Sequence, residues 1–453
     1  MDLALISRVL FLRRRWRTHD RWSVEQIAAH QARALKKLRR LAYKRSDFYR
    51  QHHAGLFDAP LSELPPVTKA DLMGHFDGAV TDASLRLGDL EEHLKSMVET
   101  GSDAGRPWRS RWWTAATGGT TGRKGIFVWN RSEWAAVLAS YARANDWAGI
   151  RVGVARPLRV AIVSSRTPTH QSAVVGASLR SRLIPTLRLD AASPLSETVA
   201  ELNRFLPRVL VGYASALQPL AAEQLAGRLA ISPQAVMSAS EVLSEHAARE
   251  ITRAWGTTPF DVYAATETAG IASPCTFHNS HVYEDLVVVE PVDENGLPVP
   301  QGTLGARILV TVLFSRTLPL IRYEMSDRVG IGGRGCPCGR SFALLAGIEG
   351  RIEDVLYLPG QAGTVPIHPN VFHNLLDDVS IAGWQVVQED TGLRVLLAGV
   401  ASSASVEAAR RSVESALGAS GVVDTDVAVQ VVDSIERTQL GKTRLVQGIP
   451  PPA

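Results

Sequence analysis

The sequence predicts an α/β protein: a large N-terminal domain over residues 1–350 and a small α+β domain over residues 351–453. Three observations lead there. The chain has 453 residues, beyond the ~250–300 at which one hydrophobic core stops growing, so two or more domains are expected. Between residues 158 and 263, apolar runs of strand length alternate with helix-length segments, the pattern of a parallel sheet covered on both faces. After Cys275 the pattern changes to long β-runs, a small antiparallel sheet or barrel, and near residues 350–354 it changes again.

Taken in order, residues 22–54 read as one long helix with Ser23 as N-cap and Gln26 at the capping-box position. Leu64-Pro65-Pro66-Val67-Thr68-Lys69 is extended, because proline biases the residue before it away from helix, and Asp71 begins the next helix. A strand at 125–129 leads into a helix capped by Asn130 or Ser132 and running to about Gly149. Strands follow at 158–163, 208–212, 235–237 and 260–263, with helices at 215–229 and 244–255; ligands of such sheets sit at the carboxyl ends of the strands. The runs 281–290 and 305–314 are joined through the turn signal Asp293-Glu294-Asn295-Gly296. The last domain reads as strands around 355–358 and 385–397, a helix at 405–417, a strand at 427–432 and a polar tail. There is no internal repeat or low-complexity tract.

Composition excludes several classes. With 45% hydrophobic and 21% charged residues the chain reads as an ordinary globular protein, and no apolar run approaches the ~20 residues of a transmembrane segment. Met1 to Leu12 is apolar and Arg13-Arg14-Arg15-Trp16-Arg17 follows, the reverse of a secretory signal. Three cysteines, two of them in one Cys-x-Cys, speak for a reducing cytoplasm and against a disulfide framework. Much of the net charge of +4 lies before Arg50, a feature that can mark nucleic acid or an anionic membrane as partner. Leu35, Leu38 and Leu41-Ala42 lie at helical spacing among the basic residues, which makes the latter wet faces of N-terminal helices. No aromatic–basic recognition module accompanies them, so nucleic-acid binding is not expected.

The stretch Thr117-Gly118-Gly119-Thr120-Thr121-Gly122-Arg123-Lys124-Gly125 combines glycines that free the backbone to turn around an anion with hydroxyl donors and two cations. That suits a polyphosphate, although the Walker A pattern fails in every register. Read alone, the loop is equally a polar hairpin between two tryptophan-bearing strands.

Four further stretches stand in order behind it: Asp261-Val262-Tyr263-Ala264-Ala265-Thr266-Glu267, Arg322-Tyr323-Glu324-Met325-Ser326-Asp327, Gly350-Arg351-Ile352-Glu353-Asp354 and Gln439-Leu440-Gly441-Lys442. Together they resemble the adenylate-forming superfamily of acyl-CoA synthetases, luciferases and nonribosomal adenylation domains, and more narrowly the phenylacetate–CoA ligase family. Ser46-Asp47-Phe48-Tyr49, the Leu64-to-Lys69 connector, Val211-Gly212-Tyr213-Ala214-Ser215, Ser240-Glu241 and Cys336-Pro337-Cys338-Gly339-Arg340 support the narrower likeness. The resemblance implies activation of a carboxylate with ATP and Mg²⁺ to an acyl-adenylate plus pyrophosphate, then transfer to the thiol of CoA or of a carrier-protein phosphopantetheine, or to an amine. It implies that Thr117, Gly118, Gly119, Thr120, Thr121, Gly122 and Lys124 hold the β- and γ-phosphates, with Glu241 also in the nucleotide site. Thr266 would donate to the α-phosphate, Glu267 hold Mg²⁺, Tyr263 lie against adenine, Asp327 accept from the ribose hydroxyls and Arg351 approach ribose and phosphate. Lys442, on a mobile C-terminal domain, would sit between the attacking carboxylate and the α-phosphate. Arg123-Lys124 stands where the family commonly has Lys-Pro, and Glu353 stands at the hinge position usually held by Asp.

Cys275, His281, Cys336 and Cys338 make a Cys₃His set, the composition of a closed structural zinc site, with His278 as a competing ligand. By resemblance, family members can carry zinc at such a set. The implied partners are a small carboxylic acid, aromatic by resemblance, ATP, and CoA or a carrier protein, in a cytoplasmic and homodimeric enzyme. Tyr141, Trp147, His170, Gln171, Tyr213 and Ser238 are candidate walls of the acid pocket. The competing class is a non-catalytic nucleotide- or zinc-binding interaction protein. Against it, Glu267, Asp327 and Lys442 are all present.

Overall fold

The computed structural model describes residues 2–101, 104–117, 124–151, 157–178, 184–191, 193–351, 356–361, 363–367, 369–376, 379, 381, 383–389, 391–400, 402–436 and 445–449. It opens on α1 (Leu3–His19), whose first turn is capped by the Asp2 carboxylate accepting from the Leu5 amide. The capping box of Ser23 and Gln26 starts α2 (Val24–Arg45) where the sequence predicts it. The single helix expected over 22–54 is in fact two. Ser46 is extended (φ −115°, ψ 119°) and caps α3 (Asp47–His52) by accepting from the Tyr49 amide, while its hydroxyl donates to the Gly78 carbonyl. A side chain that offers the backbone a competing acceptor ends one helix and starts another. Next, α4 (Lys69–Gly74) starts at Lys69 rather than Asp71, because Asp71 is the third helical residue of a capping box with Thr68. Two more helices follow, α5 (Phe76–Ala79) and α6 (Leu87–Thr100).

The hairpin of β1 (Trp112–Ala116) and β2 (Ile126–Asn130) is buried along both strands and leads into α7 (Arg131–Trp147). The central sheet then alternates β3 (Val160–Ser164), α8 (Gln171–Ser178), β4 (Thr186–Asp190), α9 (Leu195–Phe205), β5 (Val209–Gly212), α10 (Ala214–Leu225), β6 (Ala235–Ala239), α11 (Glu245–Trp255) and β7 (Phe260–Ala265). The chain turns back through β8 (Ala269–Pro274) and β9 (Ser280–Val282). The order is β4-β3-β5-β6-β7-β8-β9, parallel through β7 and antiparallel after it. Antiparallel pairing therefore begins at Ala269, earlier than the expected change after Cys275.

The β-run expected over 281–290 is also divided. Between β9 and β10 (Val287–Val292) the chain turns inward at Asp285, and β10 joins a separate sheet with β11 (Arg307–Val312) and β12 (Tyr323–Met325). The β13 (Asp327–Ile331) and β14 (Leu345–Arg351) pair completes this antiparallel part. From Leu356 onward a separate core forms around Phe372, Trp384, Val395 and Val413. It is built from β15 (Leu356–Gly360), β16 (Gly363–Ile367), α12 (Pro369–Leu376), β17 (Gly383–Glu389), β18 (Gly392–Ala398), α13 (Ser403–Ala419), β19 (Asp426–Val432) and β20 (Val446–Gln447). Its four-stranded sheet runs β19-β18-β17-β20. Among the described residues no helix is long and apolar enough to cross a membrane.

The inward turn at Asp285 has a partner waiting. Its carboxylate accepts two hydrogen bonds from Arg143 of α7, at 2.6 and 2.7 Å, and lies 2.6 Å from Nδ1 of His19 at the end of α1. The Arg143 guanidinium lies 4.9 Å from the Trp16 and Tyr283 ring centroids and 5.3 Å from that of Trp147. Burial disfavours charge on both groups, yet the pairing overrides it, holding Asp285 well below the usual carboxylate range and raising Arg143. This cluster clamps α1 onto α7, with Arg13 and Arg17 reaching Asp146 beside it.

Candidate active site and metal centre

The turn after β7 lies at the carboxyl end of a parallel strand, where open α/β sheets present their ligand sites. It carries Thr266 and Glu267. The chain reverses within Thr266–Thr268, with Ala269 at φ 62° and then Gly270, where a Cβ would come within 2.9 Å of the Tyr283 ring. The turn is tied from outside: Gln171 Nε2, on the first residue of α8, donates to the Thr266 carbonyl at 3.0 Å. The Tyr141 hydroxyl of α7 donates in turn to Gln171 Oε1 at 2.7 Å. Glu267 is 6% exposed; burial above all, with Tyr283 and then the Glu267 charge, raises the Tyr141 phenol above its ordinary value. Sequence reasoning offered Tyr141 and Gln171 only as pocket walls; a tether between side chains so distant along the chain leaves no signal in spacing.

The neck of the glycine loop is described on both sides. The Thr117 amide donates to the Gly125 carbonyl, and the Gly125 amide donates to Thr117 Oγ1, both at 2.9 Å. The Ala116 amide donates to the Thr169 carbonyl at 2.8 Å, joining the hairpin to the segment just before Gln171. Lys124 is exposed. Gly118, Gly119, Thr120, Thr121, Gly122 and Arg123 lie outside the described residues, as do Glu353, Asp354 and Lys442.

Glu241, beyond β6, holds the start of α10: Ser215 donates from its amide to Oε2 at 2.9 Å and from its hydroxyl to Oε1 at 3.2 Å. A carboxylate there satisfies an end-of-helix donor and complements the dipole. Its predecessor Ser240 sits at φ 70°, a conformation a non-glycine residue holds only when its surroundings impose it. Tyr263 lies half-buried on β7 against the large core. Asp327, 9% exposed, opens β13 directly opposite Arg351 of β14, so the two residues expected at the ribose are ladder partners. Asp261 was singled out by motif without a role. It faces Ser238 across the β6–β7 ladder, and burial pushes its carboxyl up to about 7. Trp147, a candidate pocket wall, is buried in contact with His281, Tyr283 and Phe342.

Beside Trp147 the four expected metal ligands meet. One ligand atom each from Cys275, His281, Cys336 and Cys338 lies within 4.8 Å of all the others. Cys275 Sγ and Cys336 Sγ are 3.6 Å apart, and Cys338 Sγ is 3.2 Å from His281 Nε2. A tetrahedral zinc ion sets its ligand atoms about 3.5–3.8 Å apart, so the four fit with small adjustments. His281 Nδ1 lies 3.2 Å from the Phe342 carbonyl, which fixes the proton there and leaves Nε2 free to ligate. Burial keeps the His281 imidazole neutral by lowering its proton affinity. The Phe277 amide and the Asn279 side chain donate to Cys275 and Cys336 sulfur at 3.4 and 3.3 Å, as suits thiolates. Burial pushes the Cys275 thiol up to about 11, whereas at Cys336 donors from Cys338 and Asn279 outweigh burial and lower it. Bound metal would pay for ionising both. His278 stacks on Phe260 and is not among the four.

No family profile matches the chain. Phenylacetate-coenzyme A ligase of Thermus thermophilus is 24% identical over 359 residues, covering 74% of this chain and 73% of that one. Protein CapK of Staphylococcus aureus is 23% identical over 278 residues, 60% of this chain and 54% of CapK. Among solved structures, 2-hydroxyisobutyryl-CoA ligase in the postadenylation state with 2-HIB-AMP matches with a TM-score of 0.73 at 19% identity, over 95% of this chain and 91% of that chain. The same ligase in its thioesterification state matches at 0.57 over the same share of this chain. Anthranilate CoA ligase with anthranoyl-AMP matches at 0.53 and 16% identity, over 73% of this chain and 64% of that chain. The chain thus resembles phenylacetate–CoA ligase in sequence along most of its length, and its fold is that of the adenylate-forming CoA ligases.

Proposed function

We propose that this protein is an AMP-forming acid–thiol ligase, activating a carboxylate with ATP to an acyl-adenylate and passing the acyl group to CoA. The observation that carries the reading is the tethered turn of Thr266 and Glu267 at the end of β7, in a fold shared with ligases solved with acyl-adenylates. Joining a carboxylate to an α-phosphate brings two anions together, so donors and positive charge must converge on the reacting centre. Thr266 would donate to the α-phosphate. Glu267 would hold Mg²⁺, which supplies charge neutralisation on the phosphate oxygens. Thr117, Thr120 and Thr121, with the amides of Gly118, Gly119 and Gly122 and the Lys124 charge, would hold the departing pyrophosphate. Tyr263 would cover adenine, Asp327 would accept from the ribose hydroxyls, and Arg351 opposite it would reach ribose and phosphate. Glu241 would act beside them by fixing α10.

Lys442 would bring the point charge that joins carboxylate and phosphate. It belongs to a C-terminal domain of residues 351–453 that turns away so that the thiol can enter. Cys275, His281, Cys336 and Cys338 would hold structural zinc, because four protein ligands leave no position for substrate. The phenylacetate and anthranilate ligases support an aromatic acid; the 2-hydroxyisobutyryl ligase supports including small aliphatic acids in any panel. A carrier-protein thiol or an amine is the competing acceptor, a cytoplasmic setting suits three free thiols, and a homodimer is the expected assembly.

The test is carboxylate-dependent ATP–pyrophosphate exchange across arylacetic, benzoic and 2-hydroxy acids, followed by CoA and a carrier protein with each hit. Lys442→Ala should abolish exchange while thioester formation from preformed acyl-adenylate largely survives. Wild-type exchange by that variant, or no exchange with any acid, refutes the reading.

A further inference from the structure

We propose that α1 is a docking surface for an anionic lipid bilayer. The inner face of α1 is fully used: Leu5, Val9, Trp16 and His19 are buried in the protein. A surface helix of that kind should be polar outside. This one is not, for Leu3, Leu10 and Phe11 are 67%, 56% and 63% exposed. Arg8, Arg14, Arg15 and Arg17 are exposed beside them, and the helix carries no acidic residue between Asp2 and Asp20.

The outer surface is graded along its axis, mainly apolar from Leu3 to Phe11, with Ser7 and Arg8 the exposed polar residues there, and basic from Arg13 to Arg17. Leu10, Arg13, Arg14 and Arg17 line one shallow depression, an arrangement that sets an aliphatic side chain among guanidinium groups. Arg13 and Arg17 are held by Asp146, but among the described residues no ion pair engages Arg8, Arg14 or Arg15. Their charge is available to an outside anion.

The chemistry selects the partner. An anionic bilayer offers phosphate and carboxylate groups to the arginines and, immediately beneath, an acyl boundary for Leu3, Leu10 and Phe11. A nucleic acid would satisfy the arginines and leave the two leucines in contact with charged backbone. A second copy of the same face would set arginine against arginine. The helix would lie on the membrane, since its inner face stays packed on the protein and it is too short and too charged to cross.

The test is co-sedimentation with phosphatidylcholine vesicles, with and without about one-third phosphatidylserine. The purified protein should bind only the serine-containing vesicles, and less as salt rises. Arg14→Glu/Arg15→Glu should weaken binding by at least about 25-fold, about fivefold for each arginine. Leu10→Ser/Phe11→Ser should weaken it comparably at unchanged charge. All four substitutions are at exposed positions, so unchanged circular dichroism and melting temperature report that the variants fold. Serine-dependent binding lost in both double variants supports the proposal. Three binding results overturn it: no serine-dependent binding by the wild type, binding unaffected by Leu10→Ser/Phe11→Ser, or an oligonucleotide affinity that exceeds vesicle binding. A dimer in light scattering that Leu10→Ser/Phe11→Ser dissociates also overturns it, assigning the face to a second copy.

Discussion

Replacing Asp285 by asparagine keeps the shape of the side chain and removes one charge. The Arg143 side chain, 4% exposed, then remains a cation in the interior with no ion-pair partner and only the more distant Asp20 carboxylate nearby. Removing one partner of a buried pair costs about 3–5 kcal/mol, and a native domain has only about 5–15 kcal/mol in total. The rings of Trp16, Trp147 and Tyr283 around the guanidinium recover part of that through their faces, so the lower end of the range, about 3 kcal/mol, is expected. Arg143→Met alone leaves Asp285 with His19 only. The Arg143→Met/Asp285→Asn double variant should therefore be more stable than the sum of the single losses predicts, by about 1–3 kcal/mol. Urea unfolding followed by tryptophan fluorescence measures all four proteins, since Trp16 and Trp147 border the pair. The carboxyl of Asp285 is held below the usual range, so its contribution is present at neutral pH. It is lost only as pH falls below that range, and wild type and Asp285→Asn should converge there. A loss under about 1 kcal/mol for Asp285→Asn, or strictly additive single losses, would refute the reasoning.

Asp261 behaves in the opposite sense: its carboxyl is pushed up to about 7 by burial, so the stability it keeps in acid is lost as pH rises from the ordinary carboxylate range through 7. Asp261→Asn should gain on the wild type above that pH, by at most about 4 kcal/mol, and parallel melting-temperature curves from pH ~4 to 8 would contradict this. Purified protein should carry about one equivalent of zinc, lost together with melting temperature in Cys336→Ser; less than about a tenth of an equivalent in the wild type ends the metal assignment. Gln171→Ala removes the donor on the Thr266 carbonyl and should slow pyrophosphate exchange about tenfold with little change in melting temperature, while Gln171→Glu, which keeps length but not the donor, should not restore it. Thr120→Ala/Thr121→Ala should impair the ATP half-reaction and spare thioester formation from preformed adenylate.

Much of the architecture is legible in the chain, for local reasons. Ser23 with Gln26 marks a helix start where the sequence puts it; for α7 the structure selects Asn130, with Glu133, from the two caps the sequence offers, and Ser244, read as the first residue of a helix, is its N-cap. The buried strands β5 and β6 read directly as apolar runs. Where the reading slips, a distant partner decides. The β-run through Asp285 breaks because Arg143 and His19 draw that residue inward. The helix breaks at Ser46, whose hydroxyl donates to the Gly78 carbonyl, and the hydroxyl of Tyr49 just beyond it donates to the Pro319 carbonyl, 270 residues away. The edge strand β4, half-buried along its whole length, alternates polar and apolar from Thr186 to Asp190, with Leu187 and Leu189 packed on the core, but is too short for that alternation to stand out. At the site, residue types and order were enough to nominate Glu267, Asp327 and the Cys₃His set. The tether through Tyr141 and Gln171, the capping role of Glu241 and the burial of Asp261 exist only once the sheet has assembled.

The clamp on α1 also sets an order of events during synthesis. His19 and its partner Asp285 are 266 residues apart, and Arg143 precedes Asp285 by 142. At roughly 5–20 residues per second, the ribosome takes about 13–53 seconds after making His19 to deliver the carboxylate that holds it. Throughout that interval α1 can pack on α7 but lacks the carboxylate that clamps the two together. A nascent chain arrested before Asp285 should therefore be cleaved readily among Arg13–Arg17, and one arrested well beyond it should resist.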